Sequence, residues 1–336
     1  MRKTKSKIKK YVLSTAVALC MNMALPVSAY AVQLIPVGSA VGIEVDVDGA
    51  LVDEVSEVIT DQGSVFPAKK AGIKIGDVVI GVNGNEIDDL SDFAECSKEF
   101  DGTPVTLMIL RQDKQLECTV TPVLSVEGKY QVGLWLRDRV AGIGTVTYYN
   151  PKTGEYGALG HGISDPESGT LIPVTEGSTY DAAIVDVVQG KSGDPGELTG
   201  TFDTHTVFGT VEENSVYGIF GRCRGNLNTQ QKAMETAALG EAVIGEAEIL
   251  STVDGCEPKS YSIRIDKIQR KAGEERYQLT VTDPELLQRT GGVVCGMSGS
   301  PIVQNGKLVG AVTHVLVNDP ARGYGIFIEN MLDAAE

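Results

Sequence analysis

The stretch GMSGSPI, Gly296 to Ile302, sets two serines among glycines and closes on a proline. Such a stretch makes either a tight turn or a nucleophile loop. In the second case one serine attacks a carbonyl, and backbone N–H groups beside it must stabilise the tetrahedral oxyanion. Gly296, two residues before Ser298, has no Cβ to block that turn. Strand, turn and strand follow: Pro301-Ile302-Val303, the hairpin pair Asn305-Gly306, then Leu308 to Val312. An α/β-hydrolase elbow needs glycine two residues after its serine and a helix next. Here position 300 is Ser and a hairpin follows, which excludes that family.

A serine nucleophile needs a base, and the chain offers three histidines, His161, His205 and His314. His161 stands in the glycine-rich GALGHGISD after the strand-like AGIGTVTYYN, which puts base before nucleophile in chain order. His205, in FDTHTVFG, fits a strand face and reads as structural. His314 lies on the second hairpin strand after Ser298 and is expected near the site without being the base. The group that orients the imidazole is open among Asp283, Asp165, Asp186, Asp194 and Asp203. Asp283, in VTDPELLQRTGG, reads equally well as a helix N-cap with proline at the first helical position.

The loop resembles the Gly-x-Ser-Gly-(Gly/Ser)-Pro loop of chymotrypsin-like serine peptidases. By that likeness the amides of Gly296 and Ser298 form the oxyanion hole. Losing one such donor costs about 2.7–4 kcal/mol of transition-state stabilisation. The residue before the nucleophile is Met297, not the acid that pairs with a new N-terminus in trypsin-like enzymes, so that form of zymogen activation is not expected.

These residues need a scaffold, and the composition, with 39 glycines and 6% aromatics, suits many short strands joined by glycine turns. Residues 36–124 form a first unit. AVGIEVDVDGALVDEV reads as strands around a turn at Asp48-Gly49. AGIKIGDVVIGVNGNEI holds a turn at Gly76-Asp77, a buried strand and an Asn83-Gly84 hairpin, and SDFAECSKEF a capped helix. The run Ala71-Gly72-Ile73, Gly76-Asp77, Val82-Asn83-Gly84 resembles PDZ domains, which bind peptide termini as an added strand. That resemblance places the carboxylate-binding loop at Ala40, Val41, Gly42 and Ile43. After the polar link SVEGK, residues 130–336 form a second, strand-rich unit with the pattern of a barrel or sandwich. LNTQQKAMETAALGE (227–241) reads as a helix.

The net charge of −16 would repel nucleic acid, which removes that partner class. Residues 1–10 run against this trend, with Arg2, Lys3, Lys5, Lys7, Lys9 and Lys10 and no acid. They lead into an apolar stretch of about 15 residues that ends at Pro26, short for a spanning helix. Ala29-Tyr30-Ala31 is a cleavage site of the small-x-small kind. Residues 1–31 are thus expected to be a signal peptide or an uncleaved anchor, with the body outside the cytoplasm. Beyond Cys20, the cysteines Cys96, Cys118, Cys223, Cys256 and Cys295 show neither a disulfide framework nor zinc-ligand spacing. No metal or cofactor is implied.

With the PDZ-like unit, GLWLRDRVAGIGTVTYYNPKTGEYGALGHGISD (133–165) and VTDPELLQRTGGVVCGMSGSPIVQNGKLVGAVTHVLVNDPARGYGIFIE (281–329), the chain resembles the SpoIVB family of sporulation serine peptidases. The resemblance implies a mainly β protein with a PDZ domain ahead of a chymotrypsin-like double β-barrel. It implies a His161, Asp283, Ser298 triad and export from the forespore into the space between forespore and mother-cell membranes. It also implies self-cleavage, and cleavage of a membrane-bound regulator whose removal triggers pro-sigma-K processing. Two rival readings are a Ser–Lys protease using Lys307 and a peptide-binding scaffold without activity.

Overall fold

The chain enters at β1 (Gln33–Pro36) and passes into β2 (Ala40–Val55), a 16-residue strand that serves two parts of the molecule. The computed structural model describes residues 32–112, 114–165, 169–224, 231–238, 240–271 and 275–335. Residues 1–31, where a signal peptide or anchor is expected, lie outside them. Among the described residues no helix is long and apolar enough to cross a membrane.

The far half of β2 belongs to a sheet completed by β3 (Val78–Val82), β4 (Val105–Arg111) and β5 (Lys114–Val120), all antiparallel neighbours. Helices α1 (Pro67–Lys70) and α2 (Leu90–Ser97) accompany this sheet. The core holds Val52, Val79, Leu107 and Ile109, with Phe93 of α2. Local chemistry fixes the turns. Asn83 and Gly84 both have positive φ, as a tight hairpin demands. Asp89 caps α2 by accepting from Asp92 N at 3.0 Å. Buried Asp77 takes Arg111 in a two-pronged ion pair at 2.6 Å and also accepts from Lys74 N, so its charge is fully bonded.

The near half of β2 is a stave of a barrel. Its neighbours are β6 (Leu134–Tyr149) on one edge and β8 (Val174–Val188) on the other. Beyond β6 come β7 (Glu155–Ala158) and then β10 (Gly218–Arg222); beyond β8 comes β9 (Glu197–Val211). Among the described residues the ring closes through the bridge Gly209 to Cys223, flanked by Arg224 N donating to Phe208 O at 2.9 Å. Val41, Val45, Val146, Tyr156 and Ile219 fill it.

A second barrel is closed in the order β11 (Gly245–Ser251), β12 (Lys259–Gln269), β13 (Arg276–Val281), β16 (Asp319–Phe327), β15 (Lys307–Leu316), β14 (Pro301–Gln304). Helix α3 (Pro284–Thr290) follows β13, and α4 (Ile328–Asp333) follows β16. Ile249, Ile263, Leu279, Met297 and Ile302 pack inside. Each fully buried side chain of this kind contributes about 1.5–3 kcal/mol. The double barrel of the sequence reading is therefore present.

Three readings change. Asp48-Gly49 is not a turn but a kink within β2. Gly49 has φ +115 and its amide leaves the ladder to bond Asp88 O, while the strand continues. Of the expected helix at 227–241, the described residues hold a strand pair, Met234 and Glu235, on β1. Ala237 N then bonds Leu308 O, so tertiary pairing has taken the backbone groups that a helix would use. Finally, the units 36–124 and 130–336 interlock in space, because Ala40–Val47 complete the first barrel and Leu134–Arg137 extend the sheet of the first unit.

Candidate active site

The nucleophile loop spans α3 and β14, and its peptide planes are pinned one by one. Cys295 O accepts from Leu198 N at 2.9 Å, and Met297 O accepts from Ser300 N at 3.0 Å. A trans peptide points its N–H opposite to its carbonyl. The Gly296 and Ser298 amides are therefore turned away from these partners. Among the described residues neither amide donates a hydrogen bond, although Cys295, Met297, Gly299 and Ser300 all do. Gly296 sits at φ +95, and Gly299 at φ +96, where a Cβ would lie 2.0 Å from Thr145 O. The two free donors are held on either side of Met297, whose side chain is fully buried in the second barrel.

The two serines divide the work. Ser300 is fully buried; its hydroxyl donates to Met297 O at 2.7 Å and lies 3.0 Å from the Ser251 hydroxyl. It holds the loop. Ser298 is half-buried on the cleft, and its hydroxyl donates to Thr313 O at 2.6 Å. That carbonyl is available because β15 leaves its partner β16 between Val312 and Val315.

His161 comes from the first barrel, on the loop after β7. Leu159 and Gly160 both have φ near +70, and Leu159 N is tied to Thr145 O at 3.1 Å. A Cβ on Gly160 would meet Thr313 and the Val312 carbonyl at 3.2–3.3 Å, so glycine lets this loop lie against β15. His161 Nδ1 is 2.9 Å from Gly162 O. When that nitrogen carries the proton it donates to the carbonyl, and Nε2 is left as the acceptor that a base needs. Burial lowers the His161 pKa, against a smaller opposing effect of the Gly162 carbonyl. The His314 ring lies against it, tilted by 33°, with ring centroids 4.7 Å apart. The apolar walls around His314, and then the neighbouring His161 charge, pull its pKa down to about 4.

Both histidines, Gly296 and Ser298 line one cleft of about 760 Å³ between the barrels, with Asp165 buried in its wall. Asp283 is not brought there. It caps α3, its Oδ1 accepting from Glu285 N and Leu286 N and its Oδ2 from Ser262 N. Of the two readings left open by the residue pattern, the geometry is that of the cap. Asp186 and Asp203 are exposed and bond the amides of Val187 and His205, Asp194 is exposed, and His205 is exposed on β9. Lys307 is clamped by both oxygens of Glu241 at 2.8 Å, which raises its pKa. A lysine held cationic is a poor base, and Lys307 does not line the cleft.

Ala40, Val41, Gly42 and Ile43 also differ from expectation. All four are buried, and both strand edges are occupied, by Ile143, Gly144 and Thr145 on one side and by Thr179, Tyr180 and Asp181 on the other. A Cβ on Gly42 would fall 2.2 Å from the Phe202 ring. No peptide terminus fits there, because the amides that would receive it are already in the barrel.

Three residues escaped the sequence reading. Thr145 gives its hydroxyl to Gly296 O at 2.8 Å and its amide to Ser298 O at 3.0 Å; two residues on, Thr147 gives its hydroxyl to Gly299 O at 2.7 Å. Their spacing puts both on one face of β6. The only hint was a pair of alternating threonines in the otherwise apolar second half of that strand. Asn214 bonds Ile163 N, Ile163 O and Ile172 O, which fixes the chain just after His161. Nothing in the sequence around it marks that role.

The family model for the SpoIVB peptidase S55 matches residues 128–332, more than half of the chain. The chain belongs to the SpoIVB peptidase S55 family. A PDZ-domain model matches residues 40–121. This S55 member is thus a mainly β, PDZ-containing serine peptidase. A curated protein of Clostridium perfringens (strain 13 / Type A), named "Putative zinc metalloprotease CPE1693", is 40% identical over 68 residues, and the match spans 20% of either chain. Among solved structures, the inactive form of the Rv3671c protease shares 14% identity, with 57% of this chain and 84% of that one covered at a TM-score of 0.32. The active form of Rv3671c from M. tuberculosis shares 13%, with 58% and 73% covered at the same TM-score.

Proposed function

We propose that the chain is an exported serine endopeptidase in which Ser298 attacks the scissile carbonyl and His161 relays the proton. The carrying observation is the pair of unengaged, fixed amides at Gly296 and Ser298 beside the half-buried Ser298 hydroxyl. In the reaction the hydroxyl turns from Thr313 O to His161 Nε2. Nε2 accepts its proton as the Oγ–carbon bond forms, and the oxyanion settles between the two amides. His161 then returns the proton to the leaving amine. The Gly162 carbonyl fixes the imidazole tautomer, the task an aspartate has in the usual triad.

Val293, Val294, Val315 and Val317 on the cleft favour an uncharged, apolar residue beside the scissile bond. Family resemblance supports the biological setting: self-cleavage, and cleavage of a membrane-bound regulator across the space between forespore and mother cell. The test is labelling by a fluorophosphonate probe. Wild type should label at one serine, Ser298→Ala should not label, and His161→Ala should label far more slowly. Labelling of a folded Ser298→Ala at the same rate would refute the assignment.

A further inference from the structure

A PDZ domain takes an extended peptide by adding it to an open strand edge. In this chain that edge is closed. Within the PDZ unit, β3 pairs Ala50 and Leu51 on one side of β2. On the other side Leu134, Trp135, Leu136 and Arg137 of β6 lie opposite Val55, Glu54, Val52 and Leu51, antiparallel. Helix α2 packs on both strands, and its Leu90 N donates to Asp138 Oδ2 at 3.4 Å. Leu134 and Leu136 join the PDZ core, while Trp135 between them is 64% exposed. This is the alternation of a bound strand, with one face in pockets and the other in water. The segment is anchored just upstream, where Ser56 N donates to Gly133 O and Ala68 N to Val132 O.

We propose that the PDZ groove is filled in cis by Leu134–Asp138, and that an outside peptide enters only by displacing this strand. The partner it fits is an extended segment with apolar residues two positions apart. The same strand ends in Thr145 and Thr147, which hold the carbonyls of Gly296, Ser298 and Gly299. Occupancy of the groove is thereby linked along one strand to the nucleophile loop. The inference rests on backbone pairing and stands or falls apart from the chemistry of Ser298.

The test uses the full chain carrying Ser298→Ala, which removes self-cleavage. Hydrogen exchange should show the amides of 134–137 protected along with those of 140–147; exchange roughly a thousandfold faster at 134–137 would overturn the proposal. A labelled decapeptide QVGLWLRDRV, copied from residues 131–140, is then added in trans. Leu136→Asp, which weakens the cis strand, should bind it at least about tenfold more tightly than the parent, because the competent fraction rises. Equal binding by the two, or no gain in a Leu136→Asp variant that melts cooperatively, overturns it. If that variant does not fold, the exchange measurement decides alone.

Discussion

Replacing Gly296 by alanine tests the oxyanion hole directly. Gly296 sits at φ +95, where a residue with a Cβ carries strain of about 1–3 kcal/mol. The new methyl would also lie 3.0 Å from Leu198 Cβ, tighter than ordinary contact. The available relief is rotation of the peptide between Cys295 and Gly296. That rotation breaks the bond from Leu198 N to Cys295 O and swings the Gly296 N–H out of the cleft. Loss of one such donor costs about 2.7–4 kcal/mol at the transition state, or about 10²–10³ in rate. Melting should fall by about 2–12 °C, at about 2–4 °C per kcal/mol for a domain of 150–250 residues. The assay is the rate of fluorophosphonate labelling, measured well below the melting temperature of both proteins. Ser300→Ala is the control: it removes a buried hydroxyl at a cost of about 1 kcal/mol, while Ser300 N still holds Met297 O, so labelling should barely change. A folded Gly296→Ala that labels at close to the wild-type rate would refute the reasoning.

Asp283→Ala should cost about 1 kcal/mol of stability as a lost cap and leave labelling intact. Asp283→Asn keeps the cap oxygen but presents an NH₂ to Ser262 N, so its stability should fall between the two; a loss of roughly 10⁴ in the rate of folded Asp283→Asn would restore that residue to the triad. A neutral His161 is required, and its lowered pKa should carry the acid limb of the labelling rate below the ordinary value of about 6.5; a midpoint at or above that value contradicts the burial argument. Stability should respond as well. Between about pH 6.5 and 4 the unfolded chain takes up a proton that folded His314 resists, and buried His161 acts in the same direction below about 6.5, so melting should fall as the pH drops and the His314 contribution should level off near pH 4. A melting temperature that His314→Gln leaves with an unchanged slope across that window would show that His314 does not contribute.

The sequence by itself determined whatever depends on neighbours in the chain. Asn83-Gly84 and Asn305-Gly306 are hairpins because both residues take positive φ, and Asp89 and Asp283 cap helices because their oxygens reach amides two or three residues on. The nucleophile loop was legible for the same reason, since Gly296 and Gly299 hold conformations that side chains resist. With three histidines in the chain, the candidates for the base were few. Only the tertiary structure decided which strands pair. Ala40–Ile43 alternate like any half-buried strand, and nothing local says that Thr145 lies across from Ala40 or Asp181 across from Val41. The distance between Asp283 and His161, the clamp from Thr145 to Gly296, and the filling of the PDZ groove by Leu134–Asp138 are all consequences of that pairing. Strand partners are chosen by packing between residues far apart in sequence, and the twofold side-chain period that reveals a strand carries no label for its partner.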